Sequence, residues 1–175
     1  MPINKKIPLS ENPVSAILDL QLASDSADIP RKQNMQLWLD TLLFHQQLNK
    51  KEITVRIVDE AEIKQLNQQY RGKDNSTNVL SFPFEMPELA MPEGVHMDES
   101  ICDFLGDIVI CKQVVKLESQ QQIKSMDHHW AHMLIHGTLH LLGYDHIEER
   151  DAEEMEGIEI AILQKLGIDD PYQNN

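Results

Sequence analysis

Six of the eight histidines fall in one short segment, residues 128–146, HHWAHMLIHGTLHLLGYDH. Side chains four apart on an α-helix rise about 6 Å and face the same way, so His136 and His140 can reach one metal ion. Gly143 then permits a left-handed residue that ends the helix and turns the chain back. His146 lies just past that turn and can close a three-nitrogen site. Three protein ligands and one open position are what catalytic zinc uses. Taken singly, each histidine is more simply a core or surface residue with ordinary hydrogen bonds. His128 and His132 also continue the same stripe, so spacing alone permits a His132–His136 pair. Two histidines, a glycine three residues on and a third histidine three beyond that favour His136, His140 and His146. His128, His129 and His132 are then structural or supporting residues.

The same spacing occurs in metzincin proteases, HExxHxxGxxH. Gly137 stands where those enzymes place the glutamate that takes a proton from water, so a peptide-cleaving reading lacks its usual base. A metal alone lowers the pKa of bound water from 15.7 to about 7, which leaves ester hydrolysis open. A phosphodiester suits that limit better, because its oxygens ligate metals and a nearby arginine can offset developing charge. Arg71 is the candidate, with Lys73 beside it in YRGKD. A guanidinium contacts phosphate through two donors, which a lysine cannot match. An equal alternative is that Arg71 pairs with Asp74 or caps helix carbonyls. For the support of the histidine rings, Asp145, Ser81 and Asp107 are candidates, each with a plain structural alternative that is favoured for Asp107.

These residues need elements to place them. Leu18, Leu20 and Leu22 alternate with polar residues as a half-buried strand, and Ile53, Val55 and Ile57 do the same. Met35, Trp38, Leu39, Leu42 and Leu43 recur at helical spacing. Asp59 and Glu62 read as a capping box before a helix with Ile63, Leu66 and Tyr70 on its buried stripe, ending near Gly72. Residues 78–84, NVLSFPF, form a strand that Pro83 assigns to an edge or an end. Residues 85–103 form a long loop, and 105–111 a buried strand. Helices follow at about 113–126, 127–142 and 147–166, the last with Met155, Ile158, Ile162 and Leu166 as its stripe. Acids at its start and Lys165 at its end suit the helix dipole. The order predicts one α+β domain over 14–172, preceded by a loose leader at 1–13. It has a mixed, mainly four-stranded sheet, about five helices and the metal site at the end of a central helix.

The 175 residues are 41% hydrophobic and 25% charged, in the range of a globular domain. The net charge is −14, and residues 146–175 hold nine acids and two bases. That excludes a uniformly basic nucleic-acid binder but not a local basic face. Residues 50–73 offer a candidate, with Lys50, Lys51, Arg56, Lys64, Arg71 and Lys73 against Glu52, Asp59, Glu60 and Glu62, although composition alone favours a plain solvated surface. If a nucleic acid is held only by a face that small, the salt dependence of binding should be shallow. Cys102 and Cys111 form no framework and read as small hydrophobes of a reducing compartment. The start fails as a secretory signal, and no apolar run approaches the length of a membrane span. A cytoplasmic protein with no membrane partner is expected.

HGTLHLLGYDH at 136–146, with YRGKD at 70–74, TNVLSFPFE at 77–85 and LGDIVI at 105–110, resembles the YbeY family of bacterial rRNA-maturation endoribonucleases. The resemblance runs over about 14–172, including the closing DPY at 170–172. It implies a single-strand-specific, metal-dependent endoribonuclease that acts in 3′-end maturation of small-subunit (16S) rRNA and in ribosome quality control. It further implies one Zn²⁺ per chain on His136, His140 and His146, and a catalytic role for Arg71; Arg71 and Lys73 are the candidates for substrate binding. Its partners would be single-stranded RNA and the small ribosomal subunit, not DNA. Asn78 stands where many members have aspartate, so no acid–base role is assigned there. The alternatives are a zinc metallopeptidase-like hydrolase and a non-catalytic, zinc-containing ribosome-associated factor.

Overall fold

The structure is a computed structural model and describes residues 15–85 and 103–173. The expected leader and nearly all of the expected loop at 85–103 lie outside the described residues, as does Cys102. The elements run β1 (Ile17–Leu22), α1 (Lys32–His45), β2 (Glu52–Val58), α2 (Glu60–Arg71), β3 (Val79–Pro83), β4 (Phe104–Cys111), α3 (Lys112–Gln121), α4 (Met126–Leu141) and α5 (Glu149–Lys165). One sheet of four strands has the order β1-β2-β4-β3. β1, β2 and β4 are parallel, and β3 runs antiparallel to β4 along the edge. This is the mixed α+β architecture the patterning predicts, with α3 ending about one turn earlier than expected.

Alternation along β4 divides the core. Ile108 and Ile110 join the larger cluster with Trp38, Leu39, Trp130, Leu134 and Ile162, from α1, α4 and α5. Val109 and Cys111 face the other way, to Ile63 of α2 and Leu80 of β3. Cys111 is thus the small buried hydrophobe expected, and burial raises its thiol pKa. At full burial, side chains of this kind contribute on the order of 1.5–3 kcal/mol each. Gly106 makes the β3–β4 pairing possible. The β2–β4 register slips at this point, and Gly106 has φ +140°. A Cβ there would lie 2.2 Å from the Phe82 carbonyl oxygen, so only glycine fits the bulge.

Two local expectations fail for tertiary reasons. Asp59 does precede α2, but its side chain makes no cap hydrogen bond. Its Oδ1 accepts from Ser24 Oγ at 2.6 Å and Gln113 Nε2 at 2.6 Å, while Glu62 accepts from Arg56 Nε at 2.7 Å. Distant donors have replaced the reciprocal capping box. Tyr70 is exposed, and lays its ring edge against Phe82 at 5.2 Å between centroids. The buried stripe of α2 consists instead of Ile63 and Asn67.

Candidate metal centre and cleft

Helix α4 is apolar on nearly every side and mostly buried, so its histidines need partners. At its end the Gly143 backbone, φ +98°, reverses the chain, with the Tyr144 N–H donating to the Leu139 carbonyl at 3.1 Å. The reversal brings His146 back over the last turn. Its ring centroid lies 5.5 Å from that of His136 and 5.1 Å from that of His140. One nitrogen from each of His136, His140 and His146 falls within 4.8 Å of the other two. No further His, Cys, Asp or Glu among the described residues joins this group.

Hydrogen bonding decides which nitrogens are free. His136 Nδ1 lies 2.5 Å from Glu159 Oε1, and His140 Nδ1 lies 2.9 Å from the Tyr144 carbonyl oxygen. A carbonyl oxygen and an ionised carboxylate only accept, so both rings carry their proton on Nδ1. In the neutral rings both Nε2 atoms then present lone pairs, and the two atoms face each other across 3.1 Å. Two acceptors at that distance repel unless a cation lies between them. Tetrahedral arms of 2.0–2.1 Å would set two nitrogens roughly 3.3 Å apart, close to what is seen. Burial, then the neighbouring His136 and His146, holds the His140 imidazole below its usual pKa, favouring the neutral form a metal requires. The donor set fits a divalent cation of the zinc type.

Glu159 is the residue that sequence reasoning missed. It is fully buried on α5 beside Met155, Ile162 and Leu163. Its Oε2 accepts from His132 Nε2 at 3.0 Å and from the Tyr172 hydroxyl. Burial alone would raise the pKa of its carboxyl, but hydrogen bonds from His132 and His136 outweigh that and hold it at about 2. Burial and then the adjoining carboxylate push the Tyr172 phenol far upward. His132 therefore belongs to a supporting network, as expected. The buried stripe of α5 includes Glu159, with Ile158 and Leu166 only partly buried.

The three histidines open into a cleft of about 830 Å³ that Arg71, Lys73, Asn78 and Ser81 also line. Arg71 closes α2, and its Nη2 donates to the Ser81 carbonyl at 2.8 Å with its carbon 5.8 Å from the Phe82 ring centroid. Neither Asp74 nor the helix carbonyls hold it. Asn67, buried, donates to the Asn75 carbonyl at 2.9 Å and so steadies the loop carrying Lys73. Ser81 Oγ donates to the Gly137 carbonyl at 2.9 Å, joining β3 to α4. Asn78 Oδ1 accepts the Val79 N–H at 2.7 Å and its amide donates to Glu118 at 3.3 Å. Asp145 accepts the His146 N–H at 2.7 Å, and Asp107 is exposed on β4. Of the bases in 50–73, Arg56 pairs with Glu62 and Lys51 lies 3.7 Å from Asp103, in keeping with the solvated surface that composition favours.

Position 137 offers no room for the glutamate of a metzincin. A Cβ at position 137 would meet Val79, Ser81 and Ile108 of the sheet at 3.2 Å each, so a glutamate there would point into packing rather than into the cleft. The free edge of β3 is also blunted. Asn78 takes the Val79 N–H, Arg71 takes the Ser81 carbonyl, and Pro83 has no donor, leaving little for an added peptide strand.

Fold and site together define a single α+β domain with a three-histidine centre in a cleft edged by an arginine. A family model described as endoribonuclease YbeY matches residues 20–167. The chain belongs to the YbeY endoribonuclease family, which is metal-dependent and acts in rRNA maturation. The fold is also similar to the solution structure of TM1509 from Thermotoga maritima, with a TM-score of 0.52 and 22% identity over 90% of this chain and all of that one. Among the described residues no helix is long and apolar enough to cross a membrane.

Proposed function

We propose that the chain is a single-strand-specific endoribonuclease that acts in 3′-end maturation of small-subunit (16S) rRNA and in ribosome quality control, in the cytoplasm. His136, His140 and His146 hold one Zn²⁺, and the scissile phosphate occupies the cleft between them and Arg71. The observation that carries this reading is the pair of Nε2 atoms, from His136 and His140, facing each other at 3.1 Å in the cleft that Arg71 lines. A bound divalent ion supplies Lewis acidity there, polarising a phosphoryl oxygen and acidifying water. Arg71 holds the phosphate and stabilises the negative charge that develops in the transition state. Its anchorage on the Ser81 carbonyl occupies one of five N–H donors and leaves others for substrate. Lys73 contacts a flanking phosphate as a point charge. That no fourth His, Cys, Asp or Glu among the described residues joins the three histidines favours this over a structural zinc, which takes four protein ligands.

Metal analysis and cleavage of single-stranded RNA test the reading together. Purified protein should carry about one zinc per chain and cut single-stranded RNA. Arg71→Ala should keep the metal and lose on the order of 10²–10³ in rate, the scale of removing one charge-stabilising donor. Cleavage by a metal-free His140→Ala chain would refute the mechanism.

A further inference from the structure

An ionised carboxylate in the middle of a helix–helix contact is costly unless its oxygens are occupied. Glu159 is such a group, and its partners are unequal in kind. Oε1 serves only His136, at 2.5 Å. Oε2 serves His132 and Tyr172, neither of which belongs to the three-histidine group. Tyr172 reaches it from the turn after α5. Lys124 Nζ fixes that turn by donating to the Pro171 carbonyl at 2.9 Å, and the Tyr172 N–H donates to Asp170 Oδ1 at 2.8 Å. One oxygen is thus pinned by two donors so that the other meets a single imidazole.

His132, His136 and Glu159 also place ligand atoms within 4.8 Å of one another. They do not make a second cation site. His136 Nδ1 and His132 Nε2 both spend their protons on the carboxylate, and Glu159 is sealed from solvent. A cation would have to displace these protons and the hydroxyl hydrogen bond together.

We propose that Glu159, with Tyr172 acting through it, is a positioning residue of the metal centre: the pair locks His136 in the Nδ1–H form and aims its Nε2 at His140 and His146. The proposal rests on metal binding by those three histidines. The C-terminal turn is thereby part of the centre, although Tyr172 never faces the cleft. By linkage, metal binding should also tighten the docking of that turn.

The test uses the full chain, zinc alone as the probe and a competing chelator. Partners that orient a ligating histidine typically account for 10–100-fold in metal affinity. Glu159→Gln keeps the shape but replaces one acceptor oxygen with an amide donor, and should weaken zinc by 10–100-fold. Tyr172→Phe should weaken it several-fold. Long-range ¹H–¹⁵N spectra of the metal-free chain should show His136 as the Nδ1–H tautomer in the wild type and as a mixture in Glu159→Gln. A merely structural role would leave both the tautomer and the affinity unchanged in any variant that folds. If Glu159→Gln does not fold, Tyr172→Phe decides through the same two readings. Wild-type affinity and tautomer in the folded variants would overturn the proposal. Failure of the wild type to bind zinc would overturn the underlying metal-site reading instead.

Discussion

Helix α4 carries a histidine pair in each half, three residues apart in the first and four in the second, and the two halves use them differently. In the N-terminal half, His129 lies 3.4 Å from Glu118 and His132 lies 3.0 Å from Glu159. Each of these buried rings has a carboxylate. In the C-terminal half the carboxylate and carbonyl partners sit behind the rings, on Nδ1, and the Nε2 atoms of His136 and His140 have only each other. Closely spaced histidines therefore yield a carboxylate-paired core network at one end, with the Nδ1 atoms of His129 and His132 left buried and unpartnered, and a corner of facing Nε2 atoms at the other. A metal site is recognised by which nitrogen is left over, and the count of histidines does not reveal that.

The largest expected effect breaks the comparison at its centre. Zinc at 100 times its Kd should stabilise the wild-type chain by about 2.7 kcal/mol, since the ion binds the folded state. His140→Ala should lose that stabilisation entirely. His128→Ala should keep it, because His128 is exposed at the start of the helix. Thermal melts with and without zinc check both. An equal loss in the two variants would mean the halves are not chemically distinct.

Gly137 marks the point where the halves meet, and the next effect is smaller. A glycine inside a helix costs about 1 kcal/mol relative to alanine, so propensity favours Gly137→Ala. Packing opposes it. The new methyl would lie 3.2 Å from Val79 Cγ2, Ser81 Oγ and Ile108 Cγ2, on strands that cannot easily retreat. Overpacking of this kind costs about 1–3 kcal/mol, so urea unfolding of the metal-free variant should show a net loss of about 1 kcal/mol. A gain would mean that the C-terminal half of α4 does not need its close approach to β3, the contact that brings the histidines alongside Arg71.

The two halves were also unequally legible in the sequence. His136, His140, Gly143 and His146 lie within eleven residues, so helical spacing and one turn suffice to bring them together. Arg71 was legible as chemistry but not as place. Its position depends on β3 lying antiparallel at the sheet edge and offering the Ser81 carbonyl, a pairing with no local signature. Glu159 was hidden because it follows the acids of 148–156, which suit a helix start in solvent. Its signal was positional, four residues after Met155 and three before Ile162, on the very stripe that α5 buries. The capping-box reading of Asp59 failed for the converse reason. A strong local motif lost its side chains to Ser24 and Gln113, which only the tertiary fold brings near.

The smallest effect sharpens the N-terminal half. Burial would raise the Glu118 pKa, but hydrogen bonds from His129 and Asn78 prevail and leave it below its ordinary 4.5. A carboxyl whose folded pKa lies below its unfolded value binds its proton more weakly in the fold. Its contribution to stability is therefore present above about pH 4.5 and is lost as the pH falls through the folded value. Glu118→Gln should remove that contribution, so the metal-free variant should be less stable than wild type at neutral pH and the two should converge on acidification. Denaturant titrations at several pH values between 3 and 7 measure this. A constant gap across the range would mean that the His129–Glu118 contact, long at 3.4 Å, acts through packing alone, and that the buried rings of the N-terminal half do not need ionised partners.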